Sequence, residues 1–167
     1  MITERFSGCQ TNRPRVRSDA VKPTSPVSPA RSGLCWDGVR IRDIVASVGT
    51  PTYVYSASAI RAAWSAFDRA FARVPHSLHY ALKANSTLAL LRLLRELGSR
   101  ADANSVGEIE VALRAGFIPD DIVFTGVGKT PEELRRAVTL GVRTINAESA
   151  GEIKRIAEIA AAEGTRA

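Results

Sequence analysis

The side chains best suited to chemistry in this 167-residue sequence are one amine and a spaced set of polar groups. Lys83 closes the run His79-Tyr80-Ala81-Leu82-Lys83, and Ala84-Asn85 lead from it into a leucine-rich segment. An amine at the mouth of a hydrophobic strand loses its proton more readily than a solvated one, and a neutral amine condenses with an aldehyde. The competing reading is a strand-end lysine facing water, the usual fate of that residue. Asp102, Asn104, Thr125, Asn146 and Glu148 stand at the ends of later short apolar runs. Each could serve a site or cap a helix; Asp102 fits either role, whereas Glu108 fills a capping-box position that makes the cap its default.

Other candidates lack the spacing their chemistry requires. Gly126-Val127-Gly128-Lys129-Thr130 ends like a phosphate loop, but the required earlier glycine falls at Val123, and a dinucleotide motif would need glycine at Pro131. The remaining reading is a tight strand-to-helix turn with Lys129 exposed. His76 and His79 flank a short strand without a carboxylate at ligand spacing, and Cys9 and Cys35 have neither metal-like nor redox-like spacing. No metal site is expected, and a reduced compartment, the cytoplasm, fits the cysteines better than a disulfide framework.

The elements that must position Lys83 and the polar set can be read from periodicity and caps. From Gly33, a strand or turn around Cys35–Val39 leads to a short helix from Ile41, broken at Gly49-Thr50-Pro51. Thr52-Tyr53-Val54-Tyr55 reads as a strand by its β-branched and aromatic composition. Ser56 or Ser58 caps a helix whose apolar face carries Ile60, Ala63, Trp64, Phe67, Ala70 and Phe71, ended by Pro75. A strand over Leu78–Leu82 and a helix with Leu88, Leu91, Leu94 and Leu97 on one side follow. The unit then repeats: strands at Ala101–Ala103, Asp121–Thr125 and Thr144–Ala147 precede helices opened at Ser105, Thr130 and Ser149, the first two by capping boxes. Gly116 and Gly141 end the first two of these helices.

The strand markers Leu82, Ala103, Val123 and Ile145 are separated by 21, 20 and 22 residues. Strands alternating with helices at this interval predict an α/β fold with parallel strands, either an open sheet or a (β/α)8 barrel. Four βα units make half a barrel, with open strand edges and an uncovered inner face, so a truncated barrel is expected rather than a small sheet complete as it stands. The polar set then falls at the C-terminal ends of the strands, where such folds place their active sites.

Composition excludes little else. The hydrophobic fraction of 45% supplies a core. No apolar run reaches the roughly 18 residues of a membrane span. Of the net charge of +6, four units come from residues 1–33, whose Pro14, Pro23, Pro26 and Pro29 interleave with serines. Residues 1–32 therefore read as a disordered basic tail, with a transit peptide as the alternative. One aromatic, Phe6, and no recognisable fold argue against nucleic-acid binding through it.

Three ordered motifs carry a resemblance to a known family. Tyr80-Ala81-Leu82-Lys83-Ala84-Asn85, then Asp102-Ala103-Asn104-Ser105-Val106-Gly107-Glu108, then Phe124-Thr125-Gly126-Val127-Gly128-Lys129-Thr130 resemble the bacterial diaminopimelate decarboxylases, within the group IV, fold-type III pyridoxal-phosphate decarboxylases. Gly49–Tyr55 resembles the family's approach to its barrel, and the likeness covers roughly residues 33–167. Related ornithine and arginine decarboxylases share the lysine, but the Gly-Val-Gly-Lys-Thr turn is more similar to the diaminopimelate branch.

The resemblance implies a (β/α)8 barrel of the alanine racemase-like type, with residues 33–55 belonging to a β-rich second domain and 56–167 forming the first half of the barrel. It implies pyridoxal 5'-phosphate as cofactor, covalently held by Lys83, with Asp102 beside it and Glu108 supporting the same site. It further implies a small-molecule amino-acid substrate, meso-2,6-diaminopimelate converted to L-lysine, a homodimer, and neither nucleic acid nor membrane as partner. The family's ring-stacking histidine, glycine-rich phosphate site and substrate-binding cysteine and glutamate come from later strands, so the 167-residue chain alone is expected to be inactive. The alternatives are an ornithine- or arginine-type decarboxylase fragment and a non-catalytic domain that keeps the fold for cofactor or partner binding.

Overall fold

The computed structural model describes residues 27–30 and 33–166. The expected basic tail therefore lies outside the described residues except for Val27–Ala30, which form strand β1 and pair antiparallel with β2 (Gly33–Trp36). β2 in turn pairs with the short β3 (Val39–Arg40), and α1 (Ile41–Val48) follows directly. Asp37, in the β2–β3 turn, accepts from the backbone N–H of Ser58 at 3.0 Å and from its hydroxyl, tying this hairpin to the start of α2 (Ala57–Phe71). Those two bonds hold the Asp37 carboxyl below its usual range.

The second sheet contains β4 (His79–Ala81), β5 (Arg100–Ala103), β6 (Ile122–Phe124) and β7 (Thr144–Ile145), all parallel and in sequential order. Helices α3 (Leu88–Glu96), α4 (Val106–Ala115) and α5 (Pro131–Leu140) link successive strands, and α6 (Ala150–Ala162) follows β7. An unreversed strand order is the order of a barrel; a doubly wound sheet needs a point where the order turns back. The expected run of four βα units is thus present.

Register separates the two faces of this sheet. Ala101, Ala103, Ile122 and Phe124 are buried on the helix side, where Leu82, Leu91, Ile109, Ala112 and Phe117 complete the main core. Leu134, Val138, Ile159 and Ala160 form a second cluster between α5 and α6. Ala81, Asp102 and Val123 are successive register partners on the opposite face, where none is fully buried. Small alanines in β5 let α4 approach closely, while the alternating Arg100 and Asp102 direct charge away from the core.

Helix ends follow local chemistry. Thr130 and Glu133 form a reciprocal capping box with Pro131 at the first helical position, and Gly116 and Gly141 stop α4 and α5 at φ of 97° and 67°. Ser105 Oγ accepts from Glu108 N at 3.2 Å, but the expected second half of that box is displaced: Glu108 Oε2 accepts from Asn104 N at 2.7 Å, one residue before the cap.

Two further expectations need correction. Thr52–Tyr55 is not a strand: it has no sheet partner among the described residues, and Tyr53 and Tyr55 are exposed. The Leu78–Leu82 strand is shorter, because Leu82–Ala84 form a 3-10 turn that turns Leu82 into the core. The predicted apolar face of α2 exists, but no residue of that helix is fully buried; Trp64 and Phe67 line a groove with Leu78, Leu90 and Leu94.

Candidate active site

Lys83 sits in the 3-10 turn immediately after β4, exposed, with Leu82 beneath it only 1% exposed. The buried leucine anchors the turn and leaves the amine at the surface. Among the described residues, the Lys83 ammonium makes no hydrogen bond or ion pair. Tyr80 points to the helix side and donates its hydroxyl to the carbonyl of Asn85 at 3.3 Å, and Asn85 Oδ1 accepts from Thr87 N at 2.9 Å. The Lys83 turn is thus held at its base and its exit. Burial, with the neighbouring Tyr55, pushes the Tyr80 phenol above its usual value.

Asp102 is placed by register opposite Ala81, two residues before Lys83. Its Oδ1 accepts from Thr125 Oγ1 at 2.5 Å, and Thr125 Oγ1 accepts from Asn146 Nδ2 at 3.2 Å. Backbone bonds from Thr125 N to Ala103 O, 2.8 Å, and from Asn146 N to Phe124 O, 2.9 Å, extend the ladder beyond the last assigned strand residues. The ends of β5, β6 and β7 therefore present one connected row, Asp102–Thr125–Asn146. Among the described residues Asp102 Oδ2 takes no hydrogen bond, so Asp102 keeps acceptor capacity on the face opposite the core.

Glu108 does not join that row; its carboxylate is used on the Asn104 N–H. Asn104 Oδ1 is buried without a partner among the described residues, beside Gly126. A Cβ on Gly126 would stand 3.3 Å from the Asn104 carbonyl, and its φ of +114° also suits glycine, so the turn after β6 closes tightly on the Asn104 loop. Glu148 contributes its N–H to Glu152 Oε2 at 3.2 Å, and its exposed side chain is not part of the row.

The expected exposure of Lys129 is wrong. It is 6% exposed, and Nζ donates to Gly126 O at 2.5 Å, Asn146 O at 2.8 Å and Glu152 Oε1 at 2.8 Å. Its ammonium also lies 5.5 Å from the centroid of the Phe124 ring. Burial of a lysine is tolerated here because every ammonium proton has an acceptor and one acceptor is charged. The hydrogen bond from Lys129 holds the Glu152 carboxyl below its ordinary value, against the effect of burial. The signal for this pair is a lysine and an acid 23 residues apart, one βα repeat, a distance at which no local motif looks.

An exposed amine without a partner among the described residues, next to a strand whose end carries a fixed carboxylate and hydroxyl row on the C-terminal face of a parallel sheet, suits covalent capture of an aldehyde cofactor. Comparison with known proteins points the same way. Residues 57–165 match the family described as pyridoxal-dependent decarboxylase, pyridoxal binding domain. Curated diaminopimelate decarboxylases from Vibrio cholerae and Pseudomonas aeruginosa are 43% and 44% identical over 81% and 78% of this chain. The chain spans about a third of the length of these relatives, 33% and 32%. Among solved structures, a diaminopimelate decarboxylase from M. jannaschii matches with a TM-score of 0.79 at 32% identity, over 83% of this chain and 33% of that one. The Helicobacter pylori diaminopimelate decarboxylase complexed with L-lysine matches with a TM-score of 0.71 at 42% identity, over 75% of this chain and 32% of that one. The sheet described above is accordingly part of a fold-type III (β/α)8 barrel, and the chain belongs to the pyridoxal-dependent decarboxylase family, matching its pyridoxal-binding domain.

Proposed function

We propose that this chain provides the cofactor-bearing part of a decarboxylase that converts meso-2,6-diaminopimelate to L-lysine and carbon dioxide. The observation that carries the reading is the Lys83 amine at the end of β4, without a partner among the described residues and following the strand that pairs with β5 of the Asp102–Thr125–Asn146 row. Bound pyridoxal phosphate supplies an electron sink for the pair left by departing carbon dioxide. Lys83 would hold the cofactor through its aldehyde, and its exposed amine would be the group at the strand end that moves protons there. Asp102 faces the same open side and orients the positively charged groups that enter it, with Thr125 fixing one of its oxygens. Glu108 supports the site indirectly, by fixing the loop that follows Asp102 through the Asn104 N–H.

Identity supports diaminopimelate over ornithine or arginine as substrate. The diaminopimelate decarboxylases from Vibrio cholerae and Pseudomonas aeruginosa are 43% and 44% identical, whereas a viral arginine decarboxylase and a Vibrio vulnificus lysine/ornithine decarboxylase are each 26% identical, with TM-scores of 0.64 and 0.63. A homodimeric assembly and a cytoplasmic location go with this reading. Among the described residues no helix is long and apolar enough to cross a membrane.

The test has two arms. The full chain is incubated with pyridoxal phosphate, reduced with borohydride and peptide-mapped; the adduct is expected on Lys83 and absent from Lys83→Ala, and a folded chain labelled elsewhere or not at all would sink the cofactor assignment. Residues 33–167 are also put in place of the matching third of the Vibrio cholerae relative. Carbon dioxide release from meso-diaminopimelate is expected from the chimera and not from its Lys83→Ala variant, and a folded chimera that releases none would overturn the reading of this part as the cofactor-bearing one.

A further inference from the structure

We propose that Lys129 is a positioning residue for this site, holding the Asp102–Thr125–Asn146 row in place from the helix side of the sheet; this rests on the reading of Lys83 given above. Lys129 does not face the open side where Lys83 and Asp102 stand. Its three ammonium protons instead converge on three separate segments: the Gly126 carbonyl in the turn after β6, the Asn146 carbonyl after β7, and the Glu152 carboxylate in the first turn of α6. The second oxygen of Glu152 takes the N–H of Glu148. Asn146 is therefore gripped by its carbonyl, and Glu148 two residues on by its amide.

The consequence reaches the site through short steps. Asn146 held by its carbonyl can donate Nδ2 to Thr125 Oγ1, which leaves the Thr125 hydroxyl proton for Asp102 Oδ1. Lys129 also fixes Gly126, which packs against Asn104, two residues after Asp102. Both sides of the row thus lead back to one buried nitrogen. β6 and β7 are three and two residues long, and past their ends one backbone bond each, Thr125 N to Ala103 O and Asn146 N to Phe124 O, continues the ladder; Lys129 adds a second restraint from the helix side.

The test separates positioning from bulk stability. Lys129→Met combined with Glu152→Met removes both charges together, a replacement that buried ion pairs often tolerate without loss of stability. By native-state hydrogen exchange, the Asn146 amide of the double variant, whose acceptor Phe124 O neither substitution touches, is expected to exchange at least about tenfold faster, the scale of coupling between residues in one network, while those of Ala103 and Ile122 hold their wild-type rates. Reductive capture of pyridoxal phosphate at Lys83 is expected to slow by about the same factor. A folded double variant with both readouts unchanged overturns the proposal. Should that variant not fold, Lys129→Arg decides by the same readouts: it keeps the ion pair, but no single guanidinium nitrogen can reach three acceptors. Wild-type chain that takes no label at Lys83 refutes the Lys83 reading, while the exchange arm still judges Lys129 on its own.

Discussion

Glu152 is 3% exposed and its carboxylate lies 2.8 Å from the Lys129 ammonium, which makes it a buried acid through which pH reaches the fold. Its carboxyl is held below the ordinary value by the hydrogen bond from Lys129. A depressed acid contributes stability that is present above its unfolded value, about 4.3, and is lost as pH falls through the lower folded value. Thermal melts between neutral pH and pH 3 should therefore show the wild-type chain losing stability below about pH 4.3, and Glu152→Gln should flatten that acid limb while starting from a lower melting temperature. Parallel acid limbs in the two proteins would show that this pair does not carry the dependence. The sequence makes the polar row legible, because Asp102, Thr125 and Asn146 end successive strands. Their bonding partners are 23 and 21 residues apart, which is the repeat length itself. Lys129 was not legible in the same way: an exposed lysine is the default, and only the folded turn shows that its acid lies one repeat further on.

At the scale of elements, what was legible was local. Serine and threonine caps, the proline that starts α5 and the glycines that end α4 and α5 depend on a few neighbouring residues, and the structure has each of them. Thr52–Tyr55 fails for the complementary reason: β-branched and aromatic residues favour a strand only when another strand accepts their backbone hydrogen bonds, and none among the described residues does. The box at Thr130 allows a direct measurement. Thr130→Ala removes the acceptor 3.2 Å from Glu133 N while Pro131 and the core face of α5 remain, so a loss of about 1 kcal/mol in chemical denaturation is expected. No measurable loss would show that the Thr130 hydroxyl adds nothing to the bond from Thr130 N to Glu133 Oε2 and the contacts of Lys129.

For the whole molecule, the even spacing of strand markers pointed to a parallel sheet of βα units, but not to how firmly each layer is attached to it. Burial is uneven: α4 buries Ile109, Ala112 and Ala115 and α5 buries Leu134, Ala137 and Val138, whereas none of the 15 residues of α2 is fully buried. Phe67 and Phe71, on the predicted apolar face of α2, are 62% and 48% exposed. A periodic face shows that a helix can be covered; it does not identify the surface that covers it. Local opening costs most where most apolar surface is buried. Burying Ile109 alone contributes about 1.5–3 kcal/mol, and each 1.4 kcal/mol is about a factor of ten in an equilibrium. Native-state hydrogen exchange of the full chain should therefore find the amides in the middle of α4 exchanging at least about tenfold more slowly than those in the middle of α2, with β5 and β6 protected like α4. Equal protection across α2 and α4 would mean that α2 is held by contacts other than the open groove it shares with Leu78, Leu90 and Leu94, and would remove burial as the account of how this half of the barrel is held together.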